Sequence, residues 1–377
     1  MNNFRWNPYV LLQGDELDSC FKEHFTPERK VLIIMSKGFD VRMNIALSKL
    51  KSLKDGPQVT CFLISFDEGA DSASHTYKQM VDDNMIELNS LIDSDSIINA
   101  NIQLWLKDGQ SKRRVGDRKA AELIDNIEVT SYTDILVDIS ALPRGIYFSM
   151  VGKLLAIIDQ ITAQKKPNLM VIVAENPELD IAIKDDTPDE DLTFLHGFSG
   201  EIDSSSASQG EPVIWMPILG EGKLLHIQKA YTYLAPSEMC PILPFPSRNA
   251  RRPDALTISY HSLLFDEIGI EKQNIMYVPE QNPFEAYRIL SKAIQNYHQS
   301  LKTIGDCKTV LSTFSSKLLS IGTLMAAYEL KSKDIGVGVL NVDSHGYKID
   351  DGINLKTMRE ESNLFVIWLT GEPYEDN

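Results

Sequence analysis

Asp134-Ile-Leu-Val-Asp-Ile-Ser-Ala-Leu-Pro-Arg144 runs from a short β-branched segment through a hydroxyl-containing turn into a long apolar stretch, residues 146–161. This order is typical of a strand followed by a helix, the repeating unit of a parallel sheet. The same order recurs in Lys308-Thr-Val-Leu-Ser-Thr-Phe-Ser-Ser-Lys317. The two motifs begin at residues 134 and 308. A repeat this long fits a duplicated domain, whereas the repeats of a solenoid are much shorter. We therefore predict an α/β protein of two tandem Rossmann-like halves with mostly parallel sheets, related by internal duplication.

Alternating β-branched and amphipathic segments extend outward from these two motifs. In the first half they predict strands at 30–35, 59–64, 102–106, 134–139 and 169–174, and helices at 43–53, 76–91, 117–126 and 146–161. In the second half they predict strands at 213–218, 240–245, 274–278, 308–311, 335–340 and 364–369, and helices at 224–234, 255–268, 283–301 and 318–330. The predicted boundaries are an N-terminal extension (1–29), the first half (30–177), an acidic and Ser-rich connector (178–211) and the second half (212–377). Two unrelated α/β domains are the alternative to duplication.

Composition limits the classes of protein to which this chain can belong. Its 377 residues are 43% hydrophobic and 24% charged, as expected for a chain that folds throughout. The formal net charge of -16 disfavours extended duplex nucleic acid, so an anionic ligand needs a local basic patch. The cysteines lack disulfide or zinc-motif spacing, and no segment resembles a signal peptide or a membrane span. We expect a cytoplasmic protein with reduced thiols, no metal site and no membrane contact.

The loop after the first predicted strand, Ser36-Lys-Gly-Phe-Asp-Val-Arg42, is a candidate anion site. Ligands of open parallel sheets bind beyond the carboxyl ends of the strands, where helix N-termini present unpaired N–H groups. Ser36 and Lys37 can contact a phosphate, and Gly38 can take a positive φ. We assign Asp40 and Arg42 to the same site, with helix capping as the alternative role of Asp40. The absence of Gly-x-Gly-x-x-Gly and P-loop motifs disfavours NAD enzymes and P-loop ATPases.

A cluster of arginines follows the second strand of the second half, in Pro246-Ser-Arg-Asn-Ala-Arg-Arg-Pro253. Arg248, Arg251 and Arg252 are permanently charged, planar donors suited to phosphate or carboxylate. Arginine at a helix N-terminus opposes the helix dipole unless an anion is bound. We therefore predict an anion site here, with a solvated basic helix start as the alternative.

The turns after the two fourth strands are the third candidate region. Both contain hydroxyl groups and lead directly into a long helix, so they can hold a ribose or a phosphate with side-chain oxygens and helix N–H groups. Ordinary helix capping by Ser140 or Ser315 is the alternative. The predicted ligand residues are Asp138, Ser140 and Arg144 in the first half and Ser312, Ser315, Ser316 and Lys317 in the second.

Carboxylates near the same edge of the first sheet leave an enzymatic alternative open. Such oxygens can hold Mg²⁺ or activate water, which is the chemistry of a nucleotide hydrolase or an N-glycosidase. No spacing singles out a catalytic residue, and solvated helix caps are the competing interpretation. The carboxylates in question are Asp40, Asp67, Glu68, Asp138 and Glu175.

The duplicated strand-loop-helix order resembles the CARF and SAVED ligand-sensing domains of bacterial antiviral defence systems. The resemblance rests on Asp138-Ile-Ser-Ala-Leu-Pro-Arg144 and Ser312-Thr-Phe-Ser-Ser-Lys317, with support from Ser36-Lys-Gly-Phe-Asp40 and Gly220-Glu-Gly-Lys223. It implies that a cyclic or linear oligonucleotide second messenger, an anionic nucleotide-like molecule, binds in a cleft between the halves. We expect a nucleotide-binding sensor or accessory subunit of a defence or stress system, with the effector activity in a partner protein. A protein-docking scaffold is the remaining alternative.

Overall fold

The computed structural model describes residues 4–67, 76–108, 111–162, 165–185, 187–189, 192–200, 202, 211–344, 346–350 and 352–375. The chain divides into two compact units. The N-terminal unit comprises residues 6–184 and 346–377, and the central unit comprises residues 185–345 and the chain up to Arg5. Each unit contains one large, mostly parallel sheet, which confirms the predicted α/β fold.

The regular elements alternate along the chain in both units. The strands are β1 (Val10–Gln13), β2 (Lys30–Ser36), β3 (Gln58–Asp67), β4 (Ile97–Gln103), β5 (Trp105–Asp108), β6 (Ser111–Arg114), β7 (Asp134–Asp138), β8 (Asn168–Glu175), β9 (Ile183–Asp185), β10 (Thr193–Phe194), β11 (Val213–Ile218), β12 (Glu238–Met239), β13 (Ile242–Pro244), β14 (Met276–Val278), β15 (Lys308–Thr313), β16 (Val337–Asn341), β17 (Tyr347–Ile349) and β18 (Asn363–Thr370). The helices are α1 (Gly14–His24), α2 (Ile45–Lys51), α3 (Lys78–Leu91), α4 (Gly116–Ile124), α5 (Arg144–Gln160), α6 (Pro177–Ala182), α7 (Leu224–Leu234), α8 (Arg252–Ser259), α9 (Pro283–Leu301), α10 (Lys317–Ser332) and α11 (Leu355–Glu360). Within the described ranges, none of these helices has the length and apolar character needed to cross a bilayer.

The large sheet of the N-terminal unit has the strand order β1-β18-β8-β7-β2-β3-β4. Strands β8, β7, β2, β3 and β4 run parallel, whereas β18 is antiparallel to both β8 and β1. β7 and β8 are buried along their whole length, as expected for parallel strands covered by helices. On one face, Val31, Ile33 and Met35 of β2 join a core that includes Phe21 of α1 and Leu47 of α2.

The sheet of the central unit has the order β10-β16-β15-β11-β13-β14, with β12 also paired to β11. Strands β16, β15, β11, β13 and β14 run parallel, and β10 is antiparallel to β16. When the parallel strands are numbered along the chain, both sheets have the spatial order 5-4-1-2-3. Read in the opposite direction, this is 3-2-1-4-5, the classic doubly wound Rossmann order without its sixth strand. The shared order supports the predicted duplication.

The last strand of the chain lies in a different sheet from the one that the sequence pattern predicts. The pattern assigns residues 364–369 to the second half, but β18 lies between β1 and β8 in the N-terminal unit. Its pairing extends from Asn363 with Glu175 to Thr370 with Leu169. The buried strand β8 needs a partner on its outer edge, and hydrophobic periodicity does not reveal which distant strand supplies it. Residues 6–29, part of the predicted extension, similarly contribute β1 and α1 to this unit.

Three further elements differ from the sequence prediction. A strand is predicted at 102–106, but β4 covers Ile97–Gln103 and β5 forms a hairpin with β6. β4 is an edge strand in which Ile102 alone is buried, so its apolar pattern is weak. The helix predicted at 255–268 is divided between α8 and a π-helical segment, Ser262–Glu267. Part of the predicted connector forms β10 of the central sheet.

Candidate functional site

The loop after β2 is held in place by a buried asparagine of α3. Asn84 donates from Nδ2 to the carbonyl oxygen of Gly38 at 2.9 Å and to that of Asp40 at 3.0 Å. Asn44 in turn donates to the carbonyl oxygen of Asn84 at 2.8 Å. A loop fixed in this way loses little further entropy when it binds a ligand. Sequence reasoning missed Asn84, whose only signal is a polar residue on the buried face of an amphipathic helix.

Arg42, a predicted anion contact, is bound by the protein itself. Its side chain is 3% exposed, and it donates to Asp40 from Nε at 3.0 Å and from Nη2 at 2.8 Å. Its Nη1 donates to Asp180 at 2.8 Å and to the carbonyl oxygen of Ala174 at 3.2 Å. Burial alone would lower the pKa of Arg42, but the two carboxylates raise it well above its ordinary value. Arg42 and Asp40 therefore neutralise each other and brace the loop.

Ser36 ends β2 with a buried hydroxyl group that has no hydrogen-bond partner among the described residues. The residue is 1% exposed, and no described residue offers a hydrogen-bond partner to its Oγ. An unpartnered buried hydroxyl costs about 1–3 kcal/mol, so its presence points to a ligand or an ordered water. Lys37 follows it and is exposed. This loop thus offers one buried and one exposed donor for an anion.

Gly38 does not adopt the positive φ that the sequence suggests. Its φ lies outside the left-handed range, and a Cβ atom on Gly38 would meet nothing within 4 Å. The chain reverses instead through consecutive turns, the first closed by the N–H of Met43 donating to the carbonyl oxygen of Asp40 at 3.0 Å. The prediction for Gly38 is therefore wrong, since the turn is made by ordinary residues that follow it.

An aromatic cluster borders the same loop of the N-terminal unit. The ring centroid of Phe39 lies 4.9 Å from that of Tyr77 and 6.5 Å from that of Tyr347. The Tyr77 hydroxyl accepts a hydrogen bond of 2.8 Å from the N–H of Ile349, which fixes its ring. All three aromatic residues are half-buried. Aromatic rings of this kind stack on bases, with a contribution of about 1–3 kcal/mol per base.

The turn after β7 is organised by its own polar groups. Asp138 accepts a hydrogen bond of 2.9 Å from the N–H of Ser140, and the Ser140 hydroxyl accepts one of 2.8 Å from the N–H of Ala174. Both residues are at most 2% exposed. Burial and the charge of Asp138 raise the pKa of the Cys61 thiol to about 12. Arg144 is half-exposed at the start of α5, so it is the most accessible of the three predicted ligand residues.

In the central unit, Arg252 ties together four loops at the carboxyl edge of the sheet. Its Nε and Nη2 donate to the two carboxylate oxygens of Glu221, both at 2.7 Å. Its Nη1 forms an ion pair with Glu280, and Nη2 also lies 3.4 Å from Ser315 Oγ. These partners follow the first, third and fourth parallel strands, while Arg252 itself follows the second. Arg252 therefore holds these loops together, and its guanidinium is paired within the protein rather than available to an anionic ligand.

The other two arginines of this loop face solvent. Arg248 and Arg251 are exposed, and each backbone N–H is held by a side chain. The N–H of Arg248 donates to Glu280 Oε2 at 2.7 Å, and that of Arg251 donates to Asn249 Oδ1 at 3.0 Å. The loop thus presents two guanidinium groups on a fixed backbone. Of the predicted arginine cluster, these two side chains are accessible to solvent.

Gly220 is required where the loops after β11 and β15 meet. A Cβ atom on Gly220 would lie 2.0 Å from the carbonyl oxygen of Phe314. Tyr260 fastens the same loop, since its hydroxyl donates to the carbonyl oxygen of Gly220 and accepts from the N–H of Lys223 at 3.0 Å. Burial raises the pKa of Tyr260 to about 12. Sequence reasoning did not identify Tyr260 as part of this loop cluster.

The serines at the end of β15 and in the turn that follows it have unequal roles. Ser312 is 1% exposed and accepts a hydrogen bond of 3.1 Å from Trp215 Nε1, so its hydroxyl faces the core. Ser316 caps α10 by accepting from the N–H of Leu319 at 3.3 Å, whereas the capping alternative assigned this role to Ser315. Ser315 and the first helical residue, Lys317, are half-exposed. The predicted surface site is therefore reduced to Ser315 and Lys317.

The described carboxylates of the enzymatic alternative have different surroundings. Asp40 is paired with Arg42, and Asp138 accepts from its own turn. Glu175 is 5% exposed at the end of β8. The side chain of Asp67 and the whole of Glu68 lie outside the described residues.

Comparisons with known proteins find similarity of fold only. No family model matches the chain, and no curated protein matches it. The chain is similar to a solved type III CRISPR defence DNA nuclease activated by cyclic oligoadenylate, with a TM-score of 0.43 and 8% identity over 79% of this chain. It spans 63% of that nuclease chain. It also aligns with a putative universal stress protein from Pseudomonas aeruginosa UCBPP-PA14, with a TM-score of 0.24 and 12% identity over 88% of this chain and 96% of the other.

Proposed function

We propose that this protein is a nucleotide-binding sensor, or an accessory subunit, of a bacterial defence or stress system. The observation that carries the proposal is the loop after β2, where Ser36, Lys37 and Phe39 supply a buried unused hydroxyl, an exposed ammonium and a half-buried ring. The hydroxyl and the ammonium suit a phosphate, and the ring lies in an aromatic cluster that suits a base. A phosphate and a base together define a nucleotide.

The central unit supplies a second region suited to phosphate. Arg248 and Arg251 are exposed on a loop whose backbone is fixed by Glu280 and Asn249. Because Arg252 already satisfies Glu221 and Glu280, the two exposed arginines keep their charge for a ligand. Each unit thus presents its own loop suited to phosphate. The motif resemblance to CARF and SAVED domains also supports an oligonucleotide second messenger as the ligand class.

The pairing of Asp40 favours binding without turnover over hydrolysis by this residue. A general base must reach the proton that it removes, and its charge must not be consumed elsewhere. The carboxylate of Asp40 already forms an ion pair with the guanidinium of Arg42, with 2.8 Å between Asp40 Oδ2 and Arg42 Nη2. We therefore propose that the ligand acts as a signal and that a partner protein carries the effector activity.

Calorimetric titration of the purified chain with linear and cyclic oligonucleotides tests this function. The Ser36→Ala/Lys37→Ala double variant should lose at least about tenfold in affinity, because each hydrogen bond to a charged phosphate contributes about 1.5–3 kcal/mol. Phe39→Leu should weaken binding with little change in its salt dependence, because it removes stacking and not charge. Lys54→Ala is the matched control, since Lys54 is equally exposed but precedes β3.

Mass spectrometry of small molecules released from protein purified in its native host identifies the ligand without a prior choice. Recovery of an intact oligonucleotide would support a sensor, whereas steady conversion of added nucleotide would support an enzyme. Equal affinity in the wild type and the Ser36→Ala/Lys37→Ala variant would refute the proposed site.

A further inference from the structure

Three metal-ligating side chains of different chemistry meet in the central unit, at residues that the proposed function does not use. His298 lies in the last turn of α9, and Asp306 and Cys307 immediately precede β15. One ligand atom from each lies within 4.8 Å of the other two. The closest pair, His298 Nδ1 and Asp306 Oδ1, is 2.7 Å apart. All four cysteines of the chain are free thiols, so Cys307 is available as a ligand.

The backbone between the helix and the strand is shaped to bring these groups together. Gly305 and Asp306 have φ values of 120° and 70°, and the N–H of Asp306 donates to the carbonyl oxygen of Leu301 at 2.9 Å. This tight return places the Asp306 carboxylate beside His298. A non-glycine residue with positive φ is uncommon, and Asp is one of the few types that tolerate it.

Thr309 orients His298 and Cys307, which are more buried than Asp306. Its hydroxyl oxygen lies 3.4 Å from His298 Nε2, and the same hydroxyl hydrogen-bonds the Cys307 thiol. Thr309 is fully buried, so both contacts are shielded from water. An outer hydrogen bond on the second ring nitrogen is the usual support of a metal-binding histidine, because it fixes the tautomer and the ring.

We propose that His298 Nδ1, the Asp306 carboxylate and Cys307 Sγ bind one divalent cation of the Zn²⁺ class, with a fourth position open to water. Mixed nitrogen, sulfur and oxygen ligation suits Zn²⁺, whereas Mg²⁺ and Ca²⁺ prefer oxygen alone. Ligands of tetrahedral Zn²⁺ stand about 3.3–3.8 Å apart, given bond lengths of about 2.0–2.3 Å. At 2.7 Å, His298 Nδ1 and Asp306 Oδ1 stand closer than this, so metal binding requires these two side chains to move apart. The Asp306 side chain is 49% exposed, which leaves the solvent side open for the water.

This site is distinct from the candidate nucleotide loops of the same unit. Cys307 precedes the first residue of β15, whereas Ser315 and Lys317 follow the last. The cation would therefore lie at the amino edge of the sheet and the loops at its carboxyl edge. A substitution that abolishes metal binding should therefore leave nucleotide binding unchanged, and the reverse should also hold.

Cobalt substitution in the full chain tests the proposal directly. Protein stripped with a chelator and desalted is titrated with Co²⁺, and then with Zn²⁺ against a chromogenic chelator. We expect one equivalent of each ion per chain and a thiolate-to-cobalt charge-transfer absorption that Zn²⁺ abolishes. Cys307→Ser should remove this absorption, and Asp306→Asn should weaken Zn²⁺ binding at least about tenfold.

Two controls keep the outcome decisive. Cys240→Ser changes another buried thiol of the same unit and should keep the absorption and the stoichiometry. Asp306→Asn keeps a residue type that tolerates positive φ, so it should fold even if Cys307→Ser does not. Failure to bind one equivalent, or a charge-transfer absorption that persists in Cys307→Ser, would overturn the proposed site.

Discussion

Arg252 and Glu221 form a bidentate ion pair in which Nε and Nη2 of the guanidinium each donate to one carboxylate oxygen at 2.7 Å. Burial would raise the pKa of Glu221, but the hydrogen bonds and charge of Arg252 lower it below its ordinary value. The remaining guanidinium nitrogen pairs with Glu280, whose side chain is 5% exposed. One arginine therefore compensates two carboxylates at the carboxyl edge of the central sheet. Its neighbours Arg248 and Arg251 can then serve a ligand.

The first prediction separates these two roles within one loop. Arg252→Ala should lower the free energy of unfolding by about 3–5 kcal/mol, because it leaves the buried Glu280 carboxylate without its counter-charge. Arg251→Ala should change it by no more than about 0.5 kcal/mol, since this side chain is exposed. Urea denaturation of both variants measures the difference. Equal stability losses would mean that Arg252 is not the tie between the loops.

The second prediction is that one substitution raises the stability of the protein and weakens its binding of a nucleotide. Ser36→Ala removes a buried hydroxyl that lacks a described partner, so it should raise the free energy of unfolding by about 1 kcal/mol while it weakens nucleotide binding. Ser140→Ala is the contrasting variant, because it leaves the buried N–H of Ala174 without its acceptor. It should lower the free energy of unfolding by about 1–3 kcal/mol. A destabilised Ser36→Ala variant would show that its hydroxyl has a structural partner.

The fold could be predicted largely from local patterns, because each strand-helix unit is contiguous in sequence. α7 and α9 begin and end at the predicted residues, and β11 covers the predicted 213–218. The sheet of β18 could not be predicted, since its pairing with β8 joins Leu364 to Ala174 across a long separation in the chain. Periodicity identifies a strand and its buried face but not its neighbour.

The candidate site was predictable at the level of loops but not of individual side chains. Ligand loops of parallel sheets follow from topology, which places Ser36 and Lys37 correctly at the end of β2. The partner of a charged side chain depends on tertiary contacts, so the pairing of Arg42 with Asp180 had no sequence signal. The same holds for the aromatic cluster, because Tyr347 approaches Phe39 only in the folded unit.

A third prediction concerns two glycines in equivalent loops of the two units. Gly220→Ala should lower the free energy of unfolding by about 1–3 kcal/mol or more, because the added Cβ atom meets the backbone of Phe314, which cannot rotate away. Gly38→Ala should be neutral or should stabilise by about 0.4–1 kcal/mol, since its φ is not positive and the space is open. Thermal melting of both variants provides the comparison. Equal tolerance would contradict the close approach of the two loops in the central unit.

The last prediction rests on a buried polar cluster at the amino edge of the N-terminal sheet. His24 Nε2 lies 2.6 Å from Asp134 Oδ1, and the side chains are 8% and 0% exposed. Thr133 and Asn168 donate to the same carboxylate at 2.6 Å and 2.8 Å. Burial would raise the pKa of Asp134, but these hydrogen bonds and the charge of His24 lower it below its ordinary value of 3.8.

The sign of the pH effect follows from that lowered pKa. The ionised carboxylate stabilises the fold above the unfolded-state pKa of about 3.9, and this contribution is lost as the pH falls through the folded-state pKa. Asp134→Asn should therefore lower the free energy of unfolding by about 1.5–3 kcal/mol at pH 7, the contribution of a hydrogen bond to a charged group. The difference from the wild type should shrink as the pH falls below about 4. Asp18→Asn is the control, because Asp18 is 44% exposed in its pair with Lys49 and should cost less than about 1 kcal/mol. Urea denaturation from pH 7 to pH 3 measures both variants, and a deficit in Asp134→Asn that stays constant over this range would show that the carboxylate charge does not stabilise the fold.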